Sequence, residues 1–192
     1  MTTQDLVGRI VAALDAAGIP YMLTGSYASS IHSTPRATRD IDIIIFPDRE
    51  QLTRFIQSLP ASQYHTDLED AIESLRRRSQ FNVIDYATGW KVDFIIPPFD
   101  EFHTEEFERR QTIELGGLRF SVVSPEDIVL AKMLWSKAGE SERQLEDAAA
   151  VVRVQGKDLD VVHVERWVRR LRLERQWASV RAKAGPPPDE SS

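Results

Sequence analysis

Leu6, Ile10, Val11 and Leu14 recur at the three-to-four-residue spacing of a helical stripe, between Thr3 as a capping residue and Gly18 as a stop. The pattern predicts an opening helix over about residues 3–17. After Pro20, Tyr21 to Leu23 reads as a short strand, and Gly25-Ser26 leads into a helical stretch, SYASSIHS, that ends in a turn around Pro35. RDIDIIIF, from Arg39 to Phe46, is β-branched and bounded by Pro47-Asp48, which predicts a strand. Helices are expected over 48–59 and from the capping-box pair Thr66 and Glu69 to Arg78. FNVIDY and KVDFII, linked through Ala87, Thr88, Gly89 and Trp90, form one hairpin, and QTIEL and LRFSVV form another across Gly116-Gly117.

Beyond Val123 the pattern turns helical. Ser124-Pro125-Glu126-Asp127 combines a capping serine, a proline in the first turn and acids near the helix start. That helix is expected to run to about Lys137, a second from about Ser141 to Val154, and a third from about Asp160 to Ala182. GPPPDESS has nothing apolar to bury and is expected to be disordered. The order of elements predicts an α/β (α+β) fold, a mixed β-sheet flanked by helices. A core over 1–123 is followed by a C-terminal helical segment over 124–182 that packs on it, and by a tail over 183–192.

Composition narrows the chemistry. The 192 residues contain no cysteine, which excludes disulfides, a thiol nucleophile and a Cys-ligated zinc site, and suits a reducing cytoplasm. Asp5 and Arg9 interrupt the first apolar stretch, so it lacks the profile of a signal peptide and reads as an ordinary helix. No apolar run approaches the roughly 20 residues that span a bilayer, so a soluble protein with no membrane partner is expected. A formal charge of -6 argues against generic nucleic-acid binding. The local clusters Arg76, Arg77, Arg78 and Arg166, Arg169, Arg170, Arg172, Arg175 read as solvated helix faces.

The candidate chemistry gathers around three acids. Side chains two apart on a strand share a face, so Asp40 and Asp42 lie side by side, about 7 Å apart, while Ile41, Ile43 and Ile45 face the core. Like charges held so close are unfavourable unless a cation or water screens them, and Mg²⁺ takes one or two carboxylates plus substrate phosphates. KVDFII repeats the alternation with Asp93 on the polar side, so a neighbouring strand could add a third carboxylate, and three can hold two ions. Gly25 and Ser26 stand at a helix start, where free N–H groups and the helix dipole attract phosphate. Arg36 and Arg39 could offset the carboxylate charge or touch phosphate. Lys132 reads equally as a phosphate partner or as a solvated lysine.

Other residues read as structural. His32 is taken as a hydrogen-bonded structural histidine, and His65, His103 and His163 lack metal-ligand spacing. Asp85 reads as a hairpin end, Glu126 and Asp127 as helix caps, and Trp135, Trp167 and Trp177 as packing.

LTGSYASSIHSTPRATRDIDIII resembles the hallmark of the nucleotidyltransferase superfamily with the polymerase-β-like fold: an apolar residue, Gly-Ser, about ten residues, then Asp-x-Asp on a strand. Within it, His32 to Asp42, with Arg36-x-Thr38-x-Asp40-x-Asp42, is similar to the AbiEii-type toxins of type IV toxin–antitoxin systems. SPEDIVLAKMLW and RQLEDAAAVV resemble that group's post-core helices, with Lys132, Arg143 and Asp147 at matching positions. The resemblance implies Mg²⁺-dependent transfer of a nucleoside monophosphate from an NTP such as ATP to a hydroxyl of tRNA or of a protein. In other branches the acceptor is a small molecule. It assigns Asp40 and Asp42 to metal, Asp93 to metal or to general-base work, and Gly25, Ser26, Arg36 and Lys132 to the triphosphate, with an antitoxin as a protein partner. A non-catalytic nucleotide-binding regulatory module on the same fold is the alternative reading.

Overall fold

In the computed structural model, which describes residues 3–34, 40–139 and 141–185, the expected strands and one short further strand form one seven-stranded sheet. They are β1 (Tyr21–Thr24), β2 (Asp40–Ile45), β3 (Tyr64–His65), β4 (Gln80–Asp85), β5 (Lys91–Ile95), β6 (Gln111–Leu115) and β7 (Leu118–Val122), in the spatial order β3-β4-β5-β2-β1-β7-β6. β2 is parallel to β5 and β1 to β7, and the other neighbours are antiparallel, so the sheet is mixed as expected. The helices are α1 (Thr3–Ala17), α2 (Gly25–His32), α3 (Arg49–Ser58), α4 (Leu68–Arg77), α5 (Glu101–Glu108), α6 (Pro125–Gly139), α7 (Glu142–Gln155), α8 (Val161–Leu171) and α9 (Glu174–Ala184). The chain divides into two compact units. One comprises the described residues of 1–24 and 38–122, hence the sheet with α1, α3, α4 and α5, and the other those of 25–37 and 123–192.

In the sheet unit the alternation of β2 sends Ile41, Ile43 and Ile45 into a core shared with Leu6, Ile10 and Leu14 of α1 and Leu52 and Phe55 of α3, all essentially without solvent contact. Phe94 stacks on Phe81 at 5.1 Å and meets Phe55 edge-on at 5.2 Å. Each such side chain stabilises the fold by about 1.5–3 kcal/mol through burial. Asp48 caps α3 in a reciprocal capping box with Gln51. α4 is capped by Asp67, whose carboxylate accepts from Glu69 N and Asp70 N, in place of the expected Thr66. Asp is as good a cap as Thr and stands one residue nearer the apolar face. Thr3, expected as a cap, is the first helical residue of α1.

Asp85 ends β4 and is 0 % exposed. It accepts from Arg9 of α1 at 2.8 Å and from the Thr88 hydroxyl and N–H at 2.6 and 2.9 Å. Burial raises the pKa of this carboxyl, but the hydrogen bonds from Thr88 and Arg9 outweigh it and leave the net shift downward. Arg9→Leu should therefore destabilise the fold by about 3 kcal/mol, because a buried carboxylate loses its cation. Urea melts at neutral pH measure the loss; a midpoint unchanged from wild type would contradict it.

Two elements escaped the sequence pattern. α5 is opened by Asp100, which accepts from His103 N, but its two phenylalanines, Phe102 and Phe107, do not make a helical stripe. β3 is only two residues long. In the helical unit, the long helix expected over 160–182 is two helices. Arg172 takes left-handed backbone (φ 56°), Leu173 N bonds Val168 O at 2.9 Å, and the fully buried Leu173 side chain anchors the break. No Gly or Pro marks that position. α9 continues to Ala184, two residues into the expected tail; residues 186–192 lie outside the described residues.

Candidate active site

The polar face of β2 meets its counterpart on β5 in register. Asp42 stands directly opposite Asp93, and Asp40 opposite Lys91. Laterally paired residues share a face, so Asp40, Asp42, Lys91 and Asp93 form a two-by-two patch on strands about 4.8 Å apart. Thr24 of β1 flanks Asp42, and Asn82 of β4 flanks Asp93. Solvent contact falls across the patch: Asp40 is exposed, Asp42 half-buried, and Asp93 only 8 % exposed. Lys91 Nζ lies 2.8 Å from Asp93 Oδ2. The hydrogen bond to Asp93, and the charges of Asp93, Asp40 and Asp42, raise the pKa of Lys91 against the effect of burial, so the group is an ammonium.

Lys91 is a site residue without a motif of its own, although the alternation that puts Asp93 on the polar side puts Lys91 there too. Among the described residues no three carboxylates or imidazoles converge as a ready metal cage. The donors present nevertheless suit a hard divalent cation. Two carboxylates side by side are the usual protein share of a Mg²⁺ site, and a cation, the Lys91 ammonium, already sits on one of them.

In the helical unit, α2 begins at Gly25 with φ 66°. That left-handed backbone costs other residues roughly 1–2 kcal/mol, which is why glycine stands there. Lys132 of α6 is 3 % exposed, which removes the reading of a solvated surface lysine. Its Nζ lies 3.2 Å from Ser26 Oγ and 3.1 Å from Asp147 Oδ2 of α7. Ser26, Lys132 and Asp147, far apart in sequence, are thus brought together. Arg143 is exposed. Arg36 and Arg39 lie outside the described residues.

His32, the last residue of α2, is structural, its Nε2 2.7 Å from Val123 O while Gln155 Nε2 donates to its own carbonyl at 2.9 Å. Burial pushes its pKa below the ordinary 6.5, against smaller opposing effects of the Val123 hydrogen bond and of Glu126. A lowered imidazole pKa means the unfolded chain takes up the proton first as pH falls. Stability from His32 is therefore full above about pH 6.5 and declines below it. His32→Gln should flatten that part of the profile; equal slopes for variant and wild type in thermal melts between about pH 5 and 7 would refute the assignment.

At the start of α6, Ser124 Oγ caps Asp127 N at 3.1 Å and donates to Asp127 Oδ2 at 2.6 Å, while Glu126 Oε1 accepts from Asp160 N. Asp127 does more than cap: its Oδ1 lies 2.7 Å from His163 Nε2 of α8. Trp167 and Trp177 are buried as expected. Trp135, expected to pack, is 55 % exposed, because it points off the buried stripe of α6.

No protein-family model matches the sequence, and no curated protein matches it. Solved structures do match. The chain superposes on a nucleotidyltransferase-like antigenic protein from Paracoccidioides brasiliensis with TM-score 0.53 and 16 % identity, over 96 % of this chain and 93 % of that one. The lincosamide antibiotic adenylyltransferase LnuA, solved with lincomycin bound, matches with TM-score 0.53 and 15 % identity, over 80 % and 98 %. The chain has the nucleotidyltransferase fold. The antibiotic-resistance factor ANT(2'')-Ia also shares it, with TM-score 0.51 and 16 % identity over 93 % and 99 %. Within this fold, no described helix is long and apolar enough to cross a membrane.

Proposed function

We propose that the chain is a metal-dependent nucleotidyltransferase that moves a nucleoside monophosphate from an NTP to an acceptor hydroxyl. The observation that carries this reading is the register of Asp42 with Asp93, and of Asp40 on the same face, on a nucleotidyltransferase fold. In this reading Asp40, Asp42 and Asp93 hold one or two Mg²⁺ ions, which neutralise phosphate charge and polarise the reacting oxygens. Asp93 takes the proton of the acceptor hydroxyl. The hydroxyl oxygen then attacks the α-phosphorus in line, the bond to the bridging oxygen breaks, and pyrophosphate leaves. Gly25 and Ser26 supply backbone N–H groups and a hydroxyl to the triphosphate, and Lys132, Arg36 and Arg39 supply positive charge. Most of the catalysis in such a site is positioning and charge neutralisation.

The acceptor in this reading is a hydroxyl of tRNA or of a protein, as in the AbiEii-type toxins that the sequence resembles. The chain then acts in the cytoplasm as a toxin restrained by an antitoxin protein. A second reading takes a small hydroxylated molecule as acceptor, favoured by the lincomycin-bound adenylyltransferase among the structures that share the fold. One experiment separates them. The protein is incubated with each α-labelled NTP, Mg²⁺ and a cell extract, and label is sought in RNA, protein and small molecules. Label in none of the three, with nucleotide binding intact by calorimetry, would favour the non-catalytic module and sink the enzyme. Growth arrest on induction, relieved by a neighbouring gene, tests the toxin role.

A further inference from the structure

Lys91 lies outside the Asp-x-Asp pattern, and its position is specific. It is opposite Asp40, two residues before Asp93 on the same strand face, and its Nζ contacts Asp93 Oδ2 at 2.8 Å. The two partners differ in their access to water. The Asp93 side chain is 12 % exposed, so its charge is held largely out of solvent, whereas the Lys91 side chain is 43 % exposed and its stem can swing outward.

We infer that the Lys91 ammonium is a built-in counter-cation of this carboxylate face, which an incoming divalent ion must displace from Asp93, so that Lys91 sets the cation affinity of the site. The inference rests on the proposed reading that Asp40, Asp42 and Asp93 take such an ion. Three carboxylates on one sheet face repel each other, and a single positive charge at Asp93 lowers that cost while no metal is bound. A divalent ion held by Asp42 and Asp93 would share the Asp93 carboxylate with that ammonium, and two cations so placed would repel each other in a half-buried setting. Both draw on the single negative charge of Asp93, so each weakens the hold of the other. Metal binding then releases the lysine to solvent, and the resting protein keeps an assembled carboxylate face without tight metal. A plain surface ion pair has no such consequence, since removing one is nearly without effect.

The test uses the full chain, without nucleotide, and Mn²⁺ as the probe, with bound and free ion counted by electron paramagnetic resonance. Wild type, Lys91→Met, Lys91→Arg and Asp42→Asn are compared, with Lys91→Gln in reserve should the methionine variant fail to fold by circular dichroism. Lys91→Met is expected to bind Mn²⁺ about tenfold more tightly or better, from loss of the competing charge. Lys91→Arg, which keeps the charge, should bind as weakly as wild type. Equal or weaker binding by Lys91→Met, with binding lost in Asp42→Asn, overturns the role of Lys91 and leaves the metal site standing. Binding that is indifferent to Asp42→Asn, or absent from every variant, overturns the metal reading and this inference with it.

Discussion

Asp42→Asn and Asp93→Asn should each reduce transfer of label from NTP by at least about 10²–10³-fold, the loss typical of removing one preorganised electrostatic group from an active site. Both changes keep the volume and remove the charge. Asp42 and Asp93 are lateral neighbours on parallel strands, so either substitution removes half of the paired carboxylates. The fold should tolerate both, because the amide can still hydrogen-bond and Ile43 and Phe94 on the opposite face are untouched. Circular dichroism melts beside the labelling assay separate the effects. Full labelling by a folded Asp42→Asn variant would exclude the proposed mechanism. Asp40→Asn is expected to cost less than Asp42→Asn, since Asp40 is the exposed member and its lateral neighbour is Lys91 rather than an acid.

The second large effect is on stability. Lys132→Met should lower it by about 3–5 kcal/mol, because it takes the cation from beside the largely buried Asp147 carboxylate. At roughly 2–4 °C per kcal/mol for a chain of this size, the melting temperature should fall by about 6–20 °C. Adding Asp147→Leu should recover most of the loss, since replacing both partners of a buried pair with apolar groups is often neutral. The double variant is the informative one. If it is stable but no longer labels an acceptor, Lys132 serves the phosphate as well as the fold; if it is stable and active, the lysine is structural only. A single variant that melts with wild type would show that the pair does not hold α6 to α7.

Elements whose signal is local were legible. Period-two alternation placed β2 and β5 and the apolar side of each, and stacked start signals placed α6 at Ser124-Pro125. α5 and β3 were not, for different reasons. α5 carries its cap, Asp100, but no regular apolar stripe, and β3 is too short to show an alternation. The break between α8 and α9 was invisible because the residue in left-handed backbone is an arginine, held there by the burial of Leu173. Trp135 shows the converse: an aromatic residue in a helix pattern does not reveal which face of that helix is covered.

Which carboxylates share a face is legible from the order of residues alone, since a strand's alternation is a local property of backbone geometry. Asp40 is thereby placed with Asp42, and Asp93 on the polar side of its strand, without any knowledge of partners. That β5 lies parallel to β2, in the register that sets Asp93 beside Asp42 and Lys91 beside Asp40, follows from the assembled sheet and not from either strand. A slip of two residues would have kept every side chain on its face and set Asp93 beside Asp40 instead, and nothing within either strand forbids it. Likewise only packing decided that Lys132 is buried against Ser26 and Asp147, 106 and 15 residues away in the chain. Charge pairing across such distances depends on how whole elements stack, and no local pattern encodes it.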